Sequence, residues 1–171
     1  MTYRQAIPDD AIAIARLHTR SWQENYRGAM SDDYLDNQAG AERLTFWQKR
    51  LATPDPKRGT ILAEADDQLQ GFICLALDTD PQFGALLDNL HVAASQRGQG
   101  VGRELMRRGA EWVKEKRPDS GIYLYVLAQN ERAARFYERV GGTRQAELDL
   151  ELVGQRVASL RITWNRAEEL A

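Results

Sequence analysis

Between Leu86 and Lys116 the chain reads LLDNLHVAASQRGQGVGRELMRRGAEWVKEK, and no other stretch constrains the fold as strongly. Leu86 to Val92 is a short apolar-biased run of strand length and composition. A glycine-rich turn follows, Gln96-Arg97-Gly98-Gln99-Gly100-Val101-Gly102, and after it the pattern becomes helical. Val101, Leu105, Trp112 and Val113 fall near one face of a 3.6-residue period, with Arg103, Arg107, Arg108, Glu111 and Lys114 largely elsewhere. Strand, glycine-rich turn and helix together form an anion-binding device. Glycines let the main chain approach a ligand closely, the first helical turn carries N–H groups without intrahelical partners, and the helix end adds partial positive charge. A phosphate or pyrophosphate suits such a device. The Gly-Lys-Ser/Thr ending of a P-loop is missing, as is a GxGxxG opening a βαβ unit with an acidic residue for a ribose. Nucleotide hydrolysis and a Rossmann reading therefore fit poorly; a turn that merely joins strand to helix is the bland alternative.

The other segments follow in order. Thr2 to Ile7 predicts a strand ended by Pro8, and Asp9 is the expected N-cap of a helix from Asp10 to about Asn25, with Ala11, Ile14, Leu17, Ser21 and Trp22 along one side. Ser31 is placed to cap a short helix through Leu35. A further helix over Ala41 to Leu51 buries Leu44, Trp47 and Leu51, and Thr53-Pro54-Asp55-Pro56 stops it. Strands at Thr60–Ala65 and Leu69–Leu77, joined by Asp66-Asp67, predict an antiparallel hairpin. Asp78 to Gly84 reads as a loop. Ile122 to Leu127 is strongly strand-prone, Asn130 to Val140 helical, and Gly141-Gly142 a C-cap. Finally Ala146, Leu148, Leu150 and Leu152 alternate with polar residues, and Ala158, Leu160, Ile162 and Trp164 do the same beyond the turn at Val153-Gly154, predicting a long closing hairpin. The sum is an α/β architecture: one mixed sheet of about seven strands with helices on both faces, a single domain over residues 1–171.

Two motifs now stand together. Arg97-x-x-Gly100-x-Gly102 resembles the acyl-coenzyme A pyrophosphate loop of the GNAT superfamily of N-acetyltransferases. Asn130-x-x-Ala133-x-x-Phe136-Tyr137-Glu138-x-x-Gly141 resembles the second signature of the same superfamily, in the same order. The likeness covers nearly the whole chain; it is specific from Leu87 to Gly141 and weak before residue 60. It implies the GNAT-like acyl-CoA N-acyltransferase fold, acetyl-CoA as acyl donor, and direct transfer to a primary amine in a ternary complex.

Residue by residue, the resemblance implies a pyrophosphate cradle from Arg97, Gly98, Gln99, Gly100, Val101 and Gly102, mainly through main-chain N–H groups, with Arg103 adding charge or lying solvated. It implies that Leu90 and Val92, on a bulged central strand, face the pantetheine arm and the thioester oxygen. Asn130 is a sound N-cap or a direct cofactor contact, two compatible roles, and Ala133 either lets the cofactor approach or is simply a good helix former. Tyr137 would lie beside the thioester sulfur, where an O–H donor stabilises the departing thiolate; the bland alternative is a core aromatic. The run Leu87-Asp88-Asn89-Leu90-His91-Val92 is similar to the polyamine (diamine/spermidine) acetyltransferase pattern, with Asp88 in the acidic place, short enough to favour a water relay. His91, with an ordinary pKa of about 6.5, is a second candidate base or else a structural histidine. Asp88 and His91 have opposite alternation unless a bulge intervenes.

Trp22, Glu24, Tyr26 and Tyr34 are candidates to bind the acceptor, a carboxylate for a cationic amine and aromatics for its body, and Asp32, Asp33 and Asp36 make an acidic patch suited to a polyamine. The preferred acceptor is a small molecule such as a polyamine, amino sugar or amino-acid derivative. A protein or peptide acceptor is the alternative, and a non-catalytic acyl-CoA-binding regulatory protein a more distant one. With two histidines and no cysteine–histidine cluster, no metal site is expected, and the lone Cys74, set in a strand and expected to be buried, does not suggest a ping-pong nucleophile. A formal charge of -2 gives no reason to expect nucleic acid or an anionic membrane as partner. No stretch has membrane-spanning length and the N-terminus does not resemble a secretory signal, so a cytoplasmic location is the expectation. The resemblance also allows a homodimer through the closing hairpin or a sheet edge, for which the residues themselves give no argument.

Overall fold

In the computed structural model, which describes residues 1–170, the apolar-biased runs become seven strands of one mixed sheet. They are β1 (Thr2–Gln5), β2 (Arg58–Ala65), β3 (Gln68–Asp80), β4 (Gly84–Val92), β5 (Ile122–Leu127), β6 (Thr143–Leu152) and β7 (Gln155–Trp164), in the order β1-β2-β3-β4-β5-β7-β6. Every neighbouring pair is antiparallel except β4 and β5, whose connection runs through a helix. The helices are α1 (Ala11–Asn25), α2 (Ala39–Ala52), α3 (Val101–Lys116) and α4 (Glu131–Arg139). This is the architecture of the acyl-CoA N-acyltransferase fold.

Each face of the sheet has its own core. On one, Ile73, Leu75, Leu87, Ile122, Leu124 and Ile162 pack with Leu105, Met106 and Val113 of α3 and with Ala134 and Tyr137 of α4. Leu62, Phe72 and Cys74 face the other way, against Ile14 and Leu17 of α1 and Trp47 of α2. A third cluster, Trp22, Met30, Tyr34, Leu35, Leu127 and Val157, closes one end of this second face. The buried side of α3 differs from the sequence pattern: Met106 and Ala110 belong to it, whereas Trp112 is only half-buried, over Gly59. Ala158 is exposed while Val157 lies inside, because β7 contributes both its faces to packing.

Several boundaries move for local reasons. A 3₁₀ turn, Pro8–Asp10, precedes α1, and Asp10 rather than Asp9 serves its start: its carboxylate accepts from the Ile7 N–H at 2.7 Å and is gripped by Arg4 at 2.7 and 2.8 Å. Ser31 does cap the next segment, accepting from the Tyr34 N–H at 3.3 Å. The short helix it opens does not end at Leu35, however, but passes through a π-helical turn, Tyr34–Gln38, directly into α2. The wider turn takes in an extra residue, and Tyr34, Leu35 and Ala39 all reach the third cluster. Asp78 to Asp80 extend β3 where a loop was expected.

The β2–β3 hairpin turns at Asp66 and Asp67, with φ of 52° and 56°. Two successive left-handed residues make the hairpin-type turn that Asn-Gly prefers. Replacing both, Asp66→Asn with Asp67→Gly, is expected to raise stability by about 0.5–1 kcal/mol, read as a higher urea midpoint with unchanged m-value.

Candidate active site

The site originates in the parting of β4 from β5. The two strands pair only at Ala85 with Ile122 and Leu86 with Tyr123; beyond that they separate. On its other side β4 stays paired with β3, but Cys74 faces Asn89 and the next residue, Leu75, faces Leu87. Asp88 is therefore an extra residue, a β-bulge. It resets the alternation, so Leu87, Leu90 and Val92 all pack toward the α3 layer. Asp88 and His91 both find partners in the α1/α2 layer: Asp88 accepts from Arg50 at 2.6 Å, and His91 Nδ1 lies 2.8 Å from Ser21 Oγ. The parted strands open into a cleft of about 870 Å³.

One end of the cleft is the glycine-rich turn. Gly98 and Gly100 have φ of +79° and +83°, in the left-handed region, and a Cβ at either would meet nothing within 4 Å. Among the described residues, the N–H groups of Gly98, Gly100, Val101 and Gly102 donate to no main-chain carbonyl, and the first helical bond of α3 is Glu104 N–H to Gly100 O at 3.0 Å. Those donors and the helix end form an anion cradle. Arg97 and Arg103 line the wall on this side, and Arg132 and Arg139 of α4 add further positive charge. Val101 contributes its main chain only, since its side chain is core, and Gln99 falls outside the cradle: its N–H donates to Gln96 O at 3.3 Å and its side-chain amide to Ser95 O at 2.8 Å.

Across the cleft α4 begins at Asn130, whose side chain caps it by accepting from the Ala133 N–H at 3.1 Å. Asn130, Ala133 and Tyr137 line the wall in successive turns. The Tyr137 ring is buried beside Phe136 and Trp164. Burial, and the nearby Tyr26, push its pKa far above the ordinary value, so the hydroxyl keeps its proton. Tyr26 is likewise pushed up to about 12 by burial.

The opposite end is built by α1, α2 and the tip of the β6–β7 hairpin. Trp22 and Tyr26 come from α1, Arg43, Phe46 and Arg50 from α2, and Leu150 to Val153 from the hairpin. Two histidines pack between them, His18 against His91 with centroids 4.5 Å apart and ring planes tilted by 32°. The His91 ring retains surface in the cleft, yet desolvation by its dense surroundings, helped by the Arg97 charge, pulls its pKa down to about 3. His18 is fully buried and its pKa is also lowered, first by desolvation and then by His91, Arg43 and Arg50. Both rings are neutral near pH 7.

Comparison with known proteins is decisive here. Residues 12–142 match the model of the acetyltransferase (GNAT) family. This chain belongs to that family. An uncharacterized N-acetyltransferase, YuaI of Bacillus subtilis, is 26% identical over 167 residues, covering 96% of this chain and 92% of its own. Another uncharacterized N-acetyltransferase, from Archaeoglobus fulgidus, is 32% identical over 144 residues, covering 80% and 89%. Among solved structures, the PaiA N-acetyltransferase of Thermoplasma acidophilum in complex with coenzyme A superposes with a TM-score of 0.67 at 21% identity, covering 93% of this chain and 96% of its own.

In this GNAT chain the turn, Asn130, Ala133, Tyr137, Asp88 and His91 converge on one cleft, as do Leu90, Val92, Trp22 and Tyr26. Glu24 and Tyr34 do not line it. The Glu24 carboxylate is taken by Arg97, an ion pair that ties α1 to the glycine-rich turn. Tyr34 lies in the third cluster, behind Trp22, with ring centroids 6.4 Å apart. The acidic patch is also spent: Asp32 and Asp36 pair with Arg27, and Asp33 accepts from Asn37 and Gln38. Cys74 is buried, and burial raises its thiol pKa, so it stays un-ionised. Sequence reasoning missed Arg43, Phe46, Arg50 and the hairpin tip. A signal was available for α2, since Arg43, Trp47 and Arg50 stand at i, i+4 and i+7, which puts two arginines on its buried face.

Proposed function

We propose that the protein transfers the acetyl group of acetyl-CoA to the primary amine of a small molecule, within a ternary complex. The observation that carries this is the parting of β4 from β5, which puts the anion cradle, the Tyr137 hydroxyl and the β4 bulge along one continuous cleft. The cradle suits a pyrophosphate: its donors are main-chain N–H groups, and Gly98 and Gly100 leave the approach open. The hairpin tip walls the far end against α1 and α2, which favours a small acceptor over a peptide.

In the reaction the amine nitrogen bonds to the acetyl carbon, the carbon–sulfur bond breaks, and sulfur takes the electron pair. Main-chain N–H groups of β4, unpaired to β5 beyond Leu86, face the oxygen that becomes negative. Tyr137 donates its O–H to the sulfur. The proton lost by nitrogen leaves toward the β4 wall, where Asp88 and His91 stand. Neither is poised to take it directly: the Asp88 carboxylate is engaged by Arg50, and burial holds His91 at a pKa of about 3. A water between them and the amine is the fitting first acceptor of that proton.

The test is thiol release from acetyl-CoA on addition of pooled small amines, amino acids or short peptides. Release with a small-molecule pool and not with peptides is expected. Peptide-dependent release alone would replace the small-molecule reading, and binding of coenzyme A without any release would point to a binding protein.

A further inference from the structure

Among the described residues, four buried side-chain polar atoms lack a hydrogen-bond partner: His18 Nε2, Tyr34 Oη, Arg43 Nε and Arg161 Nε. Two of these residues, His18 and Arg43, line the acceptor end of the cleft. Both missing partners are hydrogen-bond acceptors. His18 Nδ1 accepts from the Trp47 indole at 3.0 Å, so in the neutral ring the proton sits on Nε2, an N–H with nothing to meet. Arg43 is 8% exposed; its Nη2 donates to Glu42 Oε1 at 3.0 Å and the Tyr34 hydroxyl lies beside it and Glu42, yet Nε keeps no partner of its own. Its guanidinium lies 4.6 Å from the ring centroids of both Trp22 and Phe46. His18 packs on the same Trp22, with centroids 4.7 Å apart. A buried donor without an acceptor is costly, and two on one wall are donor capacity that an acceptor group can use.

The neighbouring charges agree. Arg50 stacks on Phe46 at 4.2 Å and donates through Nη1 to Asp88 and to Cys74 Sγ. The carboxylates that a polycation would need are engaged: Asp88 with Arg50 and Glu42 with Arg43, while Glu151 is exposed on the hairpin. Paired charges with surplus guanidinium donors suit a ligand that carries both signs.

We propose that the acceptor amine carries a carboxylate of its own, held by Arg43 and the His18 Nε2–H against the Trp22 wall, so that the substrate is an amino acid or a close amino-acid derivative. This rests on the acetyltransferase reading above and narrows it. Arg43 grips the carboxylate as a planar fork, and the amine is left pointing along β4 toward Tyr137.

The experiment compares matched acceptors in the thiol-release assay: the common L-amino acids and ω-amino acids, their carboxamides, the decarboxylated amines, and spermidine. At least one amino acid is expected to exceed its own amide and its decarboxylated form by about 10- to 100-fold in kcat/KM, the span for hydrogen bonding to a charged group. Arg43→Lys, which keeps the charge and the aliphatic packing but loses the fork, is expected to raise KM for that amino acid about 10-fold or more with KM for acetyl-CoA unchanged. Spermidine, amides or peptides used as well as the acids would overturn the carboxylate subsite and leave the acetyltransferase intact. So would a folded Arg43→Lys enzyme with unaltered KM for the acid. Coenzyme A binding with no turnover of any acceptor would strike the acetyltransferase reading itself, and this inference with it.

Discussion

Tyr137→Phe is expected to lower kcat by roughly 10²-fold, the loss typical of removing one donor or acid from a reacting atom, while leaving KM for acetyl-CoA nearly unchanged. The ring is part of the core beside Phe136 and Trp164, and phenylalanine keeps that packing. What it removes is the O–H. The raised pKa of this hydroxyl defines its task. A thiol of ordinary pKa is about 8.5, so complete proton transfer from a buried tyrosine to the thiolate is uphill. The tyrosine acts instead by holding its proton toward the sulfur as charge builds there, and the released thiolate is protonated afterwards. It follows that the deficit of the variant is the same across pH 6 to 9, with no limb of the wild-type profile assignable to tyrosine ionisation. A deficit that grows or vanishes within that range would show Tyr137 transferring its proton outright, and undiminished kcat would remove it from the chemistry.

The glycine-rich half of the cleft was legible in the chain because its determinants are local. Gly98, Gly100 and the start of α3 lie within a few residues of one another, and Asn130 caps its helix through a residue three positions away. Short-range geometry of that kind is written directly in residue type and spacing. The acceptor half is assembled over distance. Arg50 meets Asp88 across 38 positions, Ser31 N–H meets Gln155 across 124, and the hairpin tip reaches α1 by tertiary packing. Glu24 reads as a free carboxylate in its own helix and is consumed by Arg97, 73 residues on. The bulge at Asp88 has no residue signature at all: it arises because β4 must satisfy β3 on one side while leaving β5 on the other. The acidic patch is a different case: Arg27 neutralises Asp32 and Asp36 from only 5 and 9 positions away, through a turn whose geometry residue type does not reveal.

Between pH 6 and 5 the protein is expected to lose stability steeply, taking up nearly two protons on unfolding. The cause is the packed pair His18 and His91, both held neutral in the fold by desolvation, His91 at about 3. Released into the unfolded chain, each regains a pKa of about 6.5. The unfolded state thus binds more protons than the folded state from about pH 6.5 downward, and stability rises with pH through that window and falls as pH drops. Each such proton is worth about 1.4 kcal/mol per pH unit, so the pair gives a slope approaching 2.7 kcal/mol per unit near pH 5. The paired carboxylates act in a different window. Glu104 and Asp78 are lowered to about 2 by their arginine partners, so their stabilisation is complete above about pH 5.5 and is lost progressively as pH falls from about 5 toward 2. Urea titrations at half-unit steps from pH 7 to 4.5 separate the two groups. His91→Gln, which can still meet Ser21, is expected to halve the slope to about one proton, and a slope left near two would mean that His91 is not one of the neutral pair. The same neutrality matters to catalysis, because a charged His91 would set a cation beside the incoming amine.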